Sequence, residues 1–87
     1  TNHTYTIDFT LPNGILVETK GRWVLEDRKK HLLIQKQHPE LDIRMVFQNS
    51  KGKIRKGSKT TYADFCNKHN IIWADKSIPT SWYNEKT

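Results

Sequence analysis

Glu18-Thr19-Lys20 sets a carboxylate and an ammonium two residues apart, so in an extended chain both leave the same face. Upstream, Asp8 sits with Thr6 and Thr10 on the polar side of an alternation whose apolar side is Tyr5, Ile7, Phe9 and Leu11. Between the two runs, Pro12-Asn13-Gly14 reads as a tight turn, Pro presetting the entry and Asn-Gly tolerating positive φ. A hairpin folded there carries Asp8, Glu18 and Lys20 to one end of a sheet. Two neighbouring carboxylates repel unless a cation neutralises them. Hard oxygen ligands suit Mg²⁺, which keeps several waters and so needs few protein ligands, with Mn²⁺ as a substitute. A metal held in this way polarises a phosphoryl oxygen and activates a water, and a pair of metals clamps attacking and leaving oxygens. Lys20 would steer the water or stabilise charge developing on the phosphate. The residue types match metal-assisted phosphodiester hydrolysis. They also match a solvated strand face, where such ion pairs are worth about 0–1 kcal/mol and do nothing more.

The elements that must position these residues follow from the same periodicities. Residues 5–11 and 15–20 are the hairpin strands, the second stopped by Gly21. Residues 25–38 predict a helix with Glu26 and Asp27 in its first turn, Lys36 and His38 in its last, and Pro39 as its stop. Leu25, Leu32 and Leu33 are its expected inward stripe. A third strand is expected over 42–47, Ile43, Met45 and Phe47 alternating with Arg44 and Val46. Residues 48–59 hold two Gly and five Lys or Arg and read as an exposed basic loop around a short strand at Ile54. A second helix runs over 62–69, with Thr61 as N-cap and Asp64 completing a weak capping box, and Tyr62, Phe65, Cys66 and His69 on one face. Ile71, Ile72 and Trp73 make a last short strand, and Trp82-Tyr83 closes the core. The order ββαβ, loop, αβ predicts an α/β fold, a mixed sheet flanked by helices.

The 87 residues amount to one small domain, and 34% hydrophobic content is low for one that stands alone. That combination suggests a domain leaning on a second chain or on a segment outside the sequence. Fifteen Lys and Arg against nine Asp and Glu leave a net charge of +6, which favours a polyanion such as nucleic acid, or serves solubility alone. No apolar run approaches the roughly 20 residues that cross a bilayer. The Thr1-Asn2-His3-Thr4 start has neither the basic region nor the apolar core of a signal peptide, and reads as a point partway through a longer gene product.

The single Cys66 falls on an apolar stripe and reads as a packing thiol, and one Cys with four scattered His lacks the close ligand set of a zinc site. Arg22, Arg28, Lys29 and Lys30, and then Lys51, Lys53, Arg55, Lys56 and Lys59, are candidate phosphate contacts or simply solvated charges. Trp23, Trp73 and Trp82 read as core or interface residues, and His31, His38 and His69 as surface or packing residues. His3 stands near the start of the first strand.

Asp8 with Glu18-Thr19-Lys20, on two strands of a hairpin, resembles the PD-(D/E)xK nuclease motif. The stretches NHTYT-x-DF, LPNGI-x-VETKG, DRKKHLLI, QHPELDIR, IRKGS and WADKSIP-x-x-W, together running from Asn2 to Trp82, resemble endonuclease I of T-seven-type phages. The resemblance implies a restriction-endonuclease-like core that resolves branched DNA such as four-way junctions in the cytoplasm of an infected bacterium. It makes Asp8 and Glu18 metal ligands, with the Thr19 carbonyl as a third, and puts Lys20 in the catalytic lysine position. Ile7 stands where the motif has Pro. The resemblance also implies a preceding segment, with a further active-site Glu on a helix, that is exchanged between the subunits of a homodimer, and the core over residues 1–87 is expected to lack that helix. Two other readings remain beside junction cleavage: a DNA-binding core that is catalytically incomplete, and a sequence-specific nuclease on the same fold.

Overall fold

The computed structural model describes residues 7–85 of the chain. His3, and the Tyr5-Thr6 start of the expected first strand, lie outside them. Four strands form one mixed sheet in the order β1 (Phe9–Thr10), β2 (Leu16–Lys20), β3 (Ile43–Phe47), β4 (Trp73–Asp75). The first pair is antiparallel and the other two are parallel. Helices α1 (Leu25–Gln37), α2 (Tyr62–Lys68) and α3 (Thr80–Tyr83) complete the chain. None of the helices is long and apolar enough to cross a membrane.

The hairpin turns through three residues. Gly14 N–H donates to Leu11 O at 2.9 Å, Leu11 N–H donates to Ile15 O at 2.8 Å, and only Gly14 takes a positive φ, +91°. That is a three-residue loop with Gly in the left-handed position, the conformation that costs glycine least. Phe9, expected to face inward, is 50% exposed. At the sheet edge β1 keeps only two residues of ladder, and of the described residues on its apolar side, Ile7, Phe9 and Leu11, Leu11 alone is buried among the core residues.

On α1 the inward face is not the leucine stripe. Leu25 and Leu33 are exposed, while Arg28 and His31 are buried and Leu32 packs on the core. Arg28, His31, Leu32 and Gln35 follow the i, i+3, i+4, i+7 spacing of one helix face, so the helix buries a guanidinium stem and an imidazole where the expectation placed only leucines. Burial pushes the His31 imidazole down to about 4.

Parallel partners on both sides cover β3, and four of its five residues are buried on both faces of the sheet. Below one face lie Trp23, Met45, Phe47, Tyr62, Cys66 and Ile71, under α1 and α2. On the other face Leu11, Ile15, Val17, Val46 and Trp82 pack between the hairpin and α3. Arg44 sits in this second layer, with its guanidinium shared by Asp42 and Glu85 and stacked 5.2 Å over the Trp82 ring.

The Thr61 capping box is complete with Asp in the acceptor place: Asp64 N–H donates to Thr61 Oγ1 at 3.0 Å and Thr61 N–H to Asp64 Oδ2 at 3.1 Å. The last strand begins at Trp73, later than expected. Asn70 takes φ +58°, Ile71 N–H closes α2 on Cys66 O at 2.8 Å, and Ile71 plugs the core before pairing starts. Trp82 closes the second layer as expected, from the short helix α3 that periodicity did not reveal, whereas Tyr83 is exposed.

Candidate active site

Alternation along β2 puts Glu18 and Lys20 on the face that also carries their register partners Met45 and Phe47. Glu18 is only 7% exposed. Its Oε1 lies 3.2 Å from Lys20 Nζ, and that ammonium also lies 3.6 Å from Asp27 Oδ2 in the first turn of α1. Burial lowers the affinity of Lys20 for its proton, but the hydrogen bonds and charges of Glu18 and then Asp27 outweigh it, so its pKa stands above the usual lysine value. Asp27 was read from sequence only as a partner of the helix dipole. No spacing rule links it to Lys20, because the contact depends on how α1 lies across the sheet.

Asp8 reaches β2 differently. Regular pairing ends at Phe9↔Val17, and the chain bends away at Asp8. The Asp8 carboxylate then replaces a main-chain acceptor: its Oδ2 takes the Thr19 N–H at 2.8 Å and the Thr19 hydroxyl at 3.1 Å. Asp8 Oδ1 accepts no hydrogen bond among the described residues. The carbonyl of Lys20 faces β3, where it accepts from Gln48 N–H at 3.1 Å. Successive main-chain groups along a strand point to opposite edges, so the Thr19 carbonyl faces the β1 edge, where Asp8 lies.

Among the described residues no three His, Cys, Asp or Glu side chains gather closely enough to hold a metal on their own. The candidate donors are instead the carboxylates of Asp8, bound to Thr19, and of Glu18, the residue before it, with the Thr19 carbonyl, all hard oxygens. That set fits a divalent cation which keeps part of its water shell. A carboxylate as buried as Glu18 with Lys20 as its one cationic partner among the described residues also fits a further positive charge nearby.

The candidate phosphate contacts divide into three groups. Arg22, Lys53, Arg55 and Lys56 rim a groove of about 700 Å³ between the end of β2 and the loop after β3. Lys29, Lys51 and Lys59 are exposed and Lys30 is half-buried. Arg28 departs from the expectation of a solvated helix face, since it is 4% exposed and donates from Nη1 to Ile54 O at 3.1 Å. From the inward face of α1 it lines the same groove. The basic loop itself is pinned by a pair that sequence reasoning missed: Asp75 Oδ1 accepts from Ser50 N–H at 2.8 Å and Oδ2 from Ser50 Oγ at 2.7 Å. These hydrogen bonds hold the Asp75 carboxyl below its ordinary range.

Burial lifts the Cys66 thiol to about 12, which makes it a packing group rather than a nucleophile. Trp23 and Trp82 are buried, and Trp73, half-buried, donates its indole N–H to Asn67 Oδ1 at 3.0 Å. His38 pairs with Glu40 at 3.3 Å, and the His69 ring packs on Phe65.

The chain matches the family described as phage endonuclease I over residues 1–87. It is 66% identical over 84 residues to endonuclease I of Escherichia phage T7, covering 97% of this chain and 56% of that protein. It is 60% identical over 84 residues to endodeoxyribonuclease 1 of Enterobacteria phage T3, covering 97% of this chain and 55% of that protein. The chain thus spans about half the length of these relatives. Asp8, Glu18 and Lys20, carried on the two arms of one hairpin, sit within the matched stretch, and the chain belongs to the phage endonuclease I family.

Proposed function

We propose that this chain carries the metal-dependent catalytic core of an endodeoxyribonuclease of the PD-(D/E)xK type, acting on branched DNA such as four-way junctions. The observation that carries the reading is the meeting of Asp8 with Thr19 across the hairpin, beside Glu18 and its Lys20 partner. The relatives named endonuclease I and endodeoxyribonuclease 1 support the reaction class.

Asp8, Glu18 and the Thr19 carbonyl would hold the cation, Mg²⁺ or Mn²⁺ in its place. Such a cation supplies charge to a phosphoryl oxygen and lowers the pKa of a coordinated water. Thr19 orients the Asp8 carboxylate through two hydrogen bonds to Oδ2, which fixes the direction in which Oδ1 is presented. Lys20, steadied between Glu18 and Asp27, contributes a fixed ammonium where negative charge grows on the phosphate. Arg22 and the Lys and Arg of the 51–59 loop offer cations for backbone phosphates, and recognition of a branch rests on shape and backbone rather than base edges.

In the parent protein we place these cores in a homodimer with exchanged N-terminal segments, since opposed cuts in a junction need two sites related by a twofold axis. The setting is the cytoplasm of an infected bacterial host. That no three His, Cys, Asp or Glu side chains gather among the described residues favours one alternative, a core that binds DNA and becomes competent only with a residue from outside this chain. The test is cleavage of a synthetic four-way junction with Mg²⁺. Cutting that appears with Mg²⁺ and disappears with EDTA supports the reading. Tight junction binding with no cutting under either condition supports the incomplete core.

A further inference from the structure

Two arginines are buried to the same depth in this fold, Arg44 at 3% exposure and Arg28 at 4%, and their surroundings differ in kind. Arg44 is answered by two carboxylates, Asp42 and Glu85. Arg28 is answered by none among the described residues: its Nη1 donates to the Ile54 carbonyl, its Cζ lies 5.5 Å from the centre of the Phe65 ring, and its buried Nε has no hydrogen-bond partner. A buried cation without an anion is costly, so a fold that keeps one leaves its charge to be met from outside.

The surroundings of Arg28 say what meets it. Arg28 lines the groove of about 700 Å³ whose rim carries Arg22, Lys53, Arg55 and Lys56, and no Asp or Glu lines that groove. Five cations therefore face one space with no acidic side chain among its walls. The Arg28–Ile54 hydrogen bond ties the backbone of the rim loop to α1, which keeps its exposed cations beside the helix, with Lys53 Nζ donating to Lys59 O at 3.4 Å within the loop. Arg22 stands two residues beyond Lys20, at most about 7 Å of extended chain. A strand of duplex DNA advances about 3.4 Å of axis per nucleotide, so that reach corresponds to one or two nucleotides from the proposed cut.

We infer that this groove takes the DNA phosphodiester lying one or two nucleotides to one side of the scissile bond, its negative charge answering buried Arg28 and the rim of Arg22, Lys53, Arg55 and Lys56. The inference rests on the nuclease reading above and adds to it a polarity: the cut is gripped on one flank by a built anion site, and the remaining basic side chains act as diffuse surface charge. Val24, Leu25 and Phe65 also line the groove, so part of its wall is apolar.

The test uses the full-length protein and four-way junctions in which single phosphates on either side of the mapped cut are replaced by uncharged methylphosphonates. In the wild type, neutralising one phosphate within two nucleotides on one flank should weaken binding about tenfold, and the same change on the other flank much less. Lys53→Gln combined with Lys56→Gln should lower the salt slope of binding by about two and abolish the sensitivity to that methylphosphonate. Lys36→Gln, on the exposed C-terminal turn of α1, should change neither. Arg28→Met should act in the same direction as the rim pair, and the rim pair alone decides the matter if Arg28→Met does not fold. Junctions cut normally by a rim variant that keeps the full methylphosphonate effect would overturn the groove while leaving the nuclease reading intact. A melting temperature that falls in the rim variant, with DNA binding unchanged, would assign the groove to another segment of the protein and also overturn it. Absence of both cutting and binding by the wild type would sink the nuclease reading itself, and the groove with it.

Discussion

Asp8 Oδ2 accepts the Thr19 N–H at 2.8 Å at the point where the first strand leaves the second. A main-chain donor on an edge would ordinarily be taken by the neighbouring strand; here a side chain takes it, and the substitution fixes a carboxylate beside Thr19 at the edge of the sheet. Because Asn retains an acceptor oxygen, Asp8→Asn preserves this hydrogen bond and removes only the charge. Cleavage of a four-way junction should fall at least about 100-fold, with the melting temperature unchanged within about 2 °C. A variant that cuts at the wild-type rate would remove Asp8 from the metal site.

Lys20→Ala should abolish cleavage in the intact enzyme while leaving most junction binding in place. Its ammonium acts where charge develops, whereas binding is distributed over many phosphate contacts. Gel-shift affinity and single-turnover rate, measured on the same preparation, check this. Parallel loss of both would make Lys20 a docking residue.

The stability of the chain should depend on pH through His31. Its folded pKa, about 4, lies below the unfolded value of 6.5, so the unfolded state binds more protons between them. The stability it contributes is fully present above about pH 6.5 and is lost as pH falls toward 4. A gap of that size is worth up to about 3 kcal/mol. Thermal melts between pH 7.5 and 4.5 should show the decline, and His31→Phe should flatten it. An equally steep decline in the variant would move the effect to other groups, of which Asp75 and Glu85, both held low by their hydrogen bonds, titrate in the same direction at lower pH.

Asn13 ties the hairpin turn to the C-terminal helix, its amide donating to Trp82 O at 2.7 Å and Glu85 O at 2.9 Å. Asn13→Ala should cost roughly 1–3 kcal/mol and make the segment after Pro79 more susceptible to limited proteolysis. Unchanged stability would show that the packing of Trp82 alone holds α3.

Several features were legible in the residues themselves because they depend on local rules. Period-two alternation and the Pro12-Asn13-Gly14 turn were enough for the hairpin, and with it the pairing of the first two strands that sets Asp8 opposite Thr19. Thr61 and Asp64 marked the start of α2, and the isolated Cys66 on an apolar stripe was a packing thiol. What only the tertiary structure decided is which partner each side chain meets across distance in sequence. The inward face of α1 is set by how the helix lies on the sheet, so Arg28 and His31 are buried although leucines were at hand. Asp27 joins Lys20, Asp75 pins Ser50, and Glu85 answers Arg44 for the same reason: charges separated by many residues are brought within hydrogen-bond reach only when the strands have paired and the helices have docked. Composition counts six excess positive charges, but only packing determines that one buried cation receives two carboxylates and another receives none among the described residues.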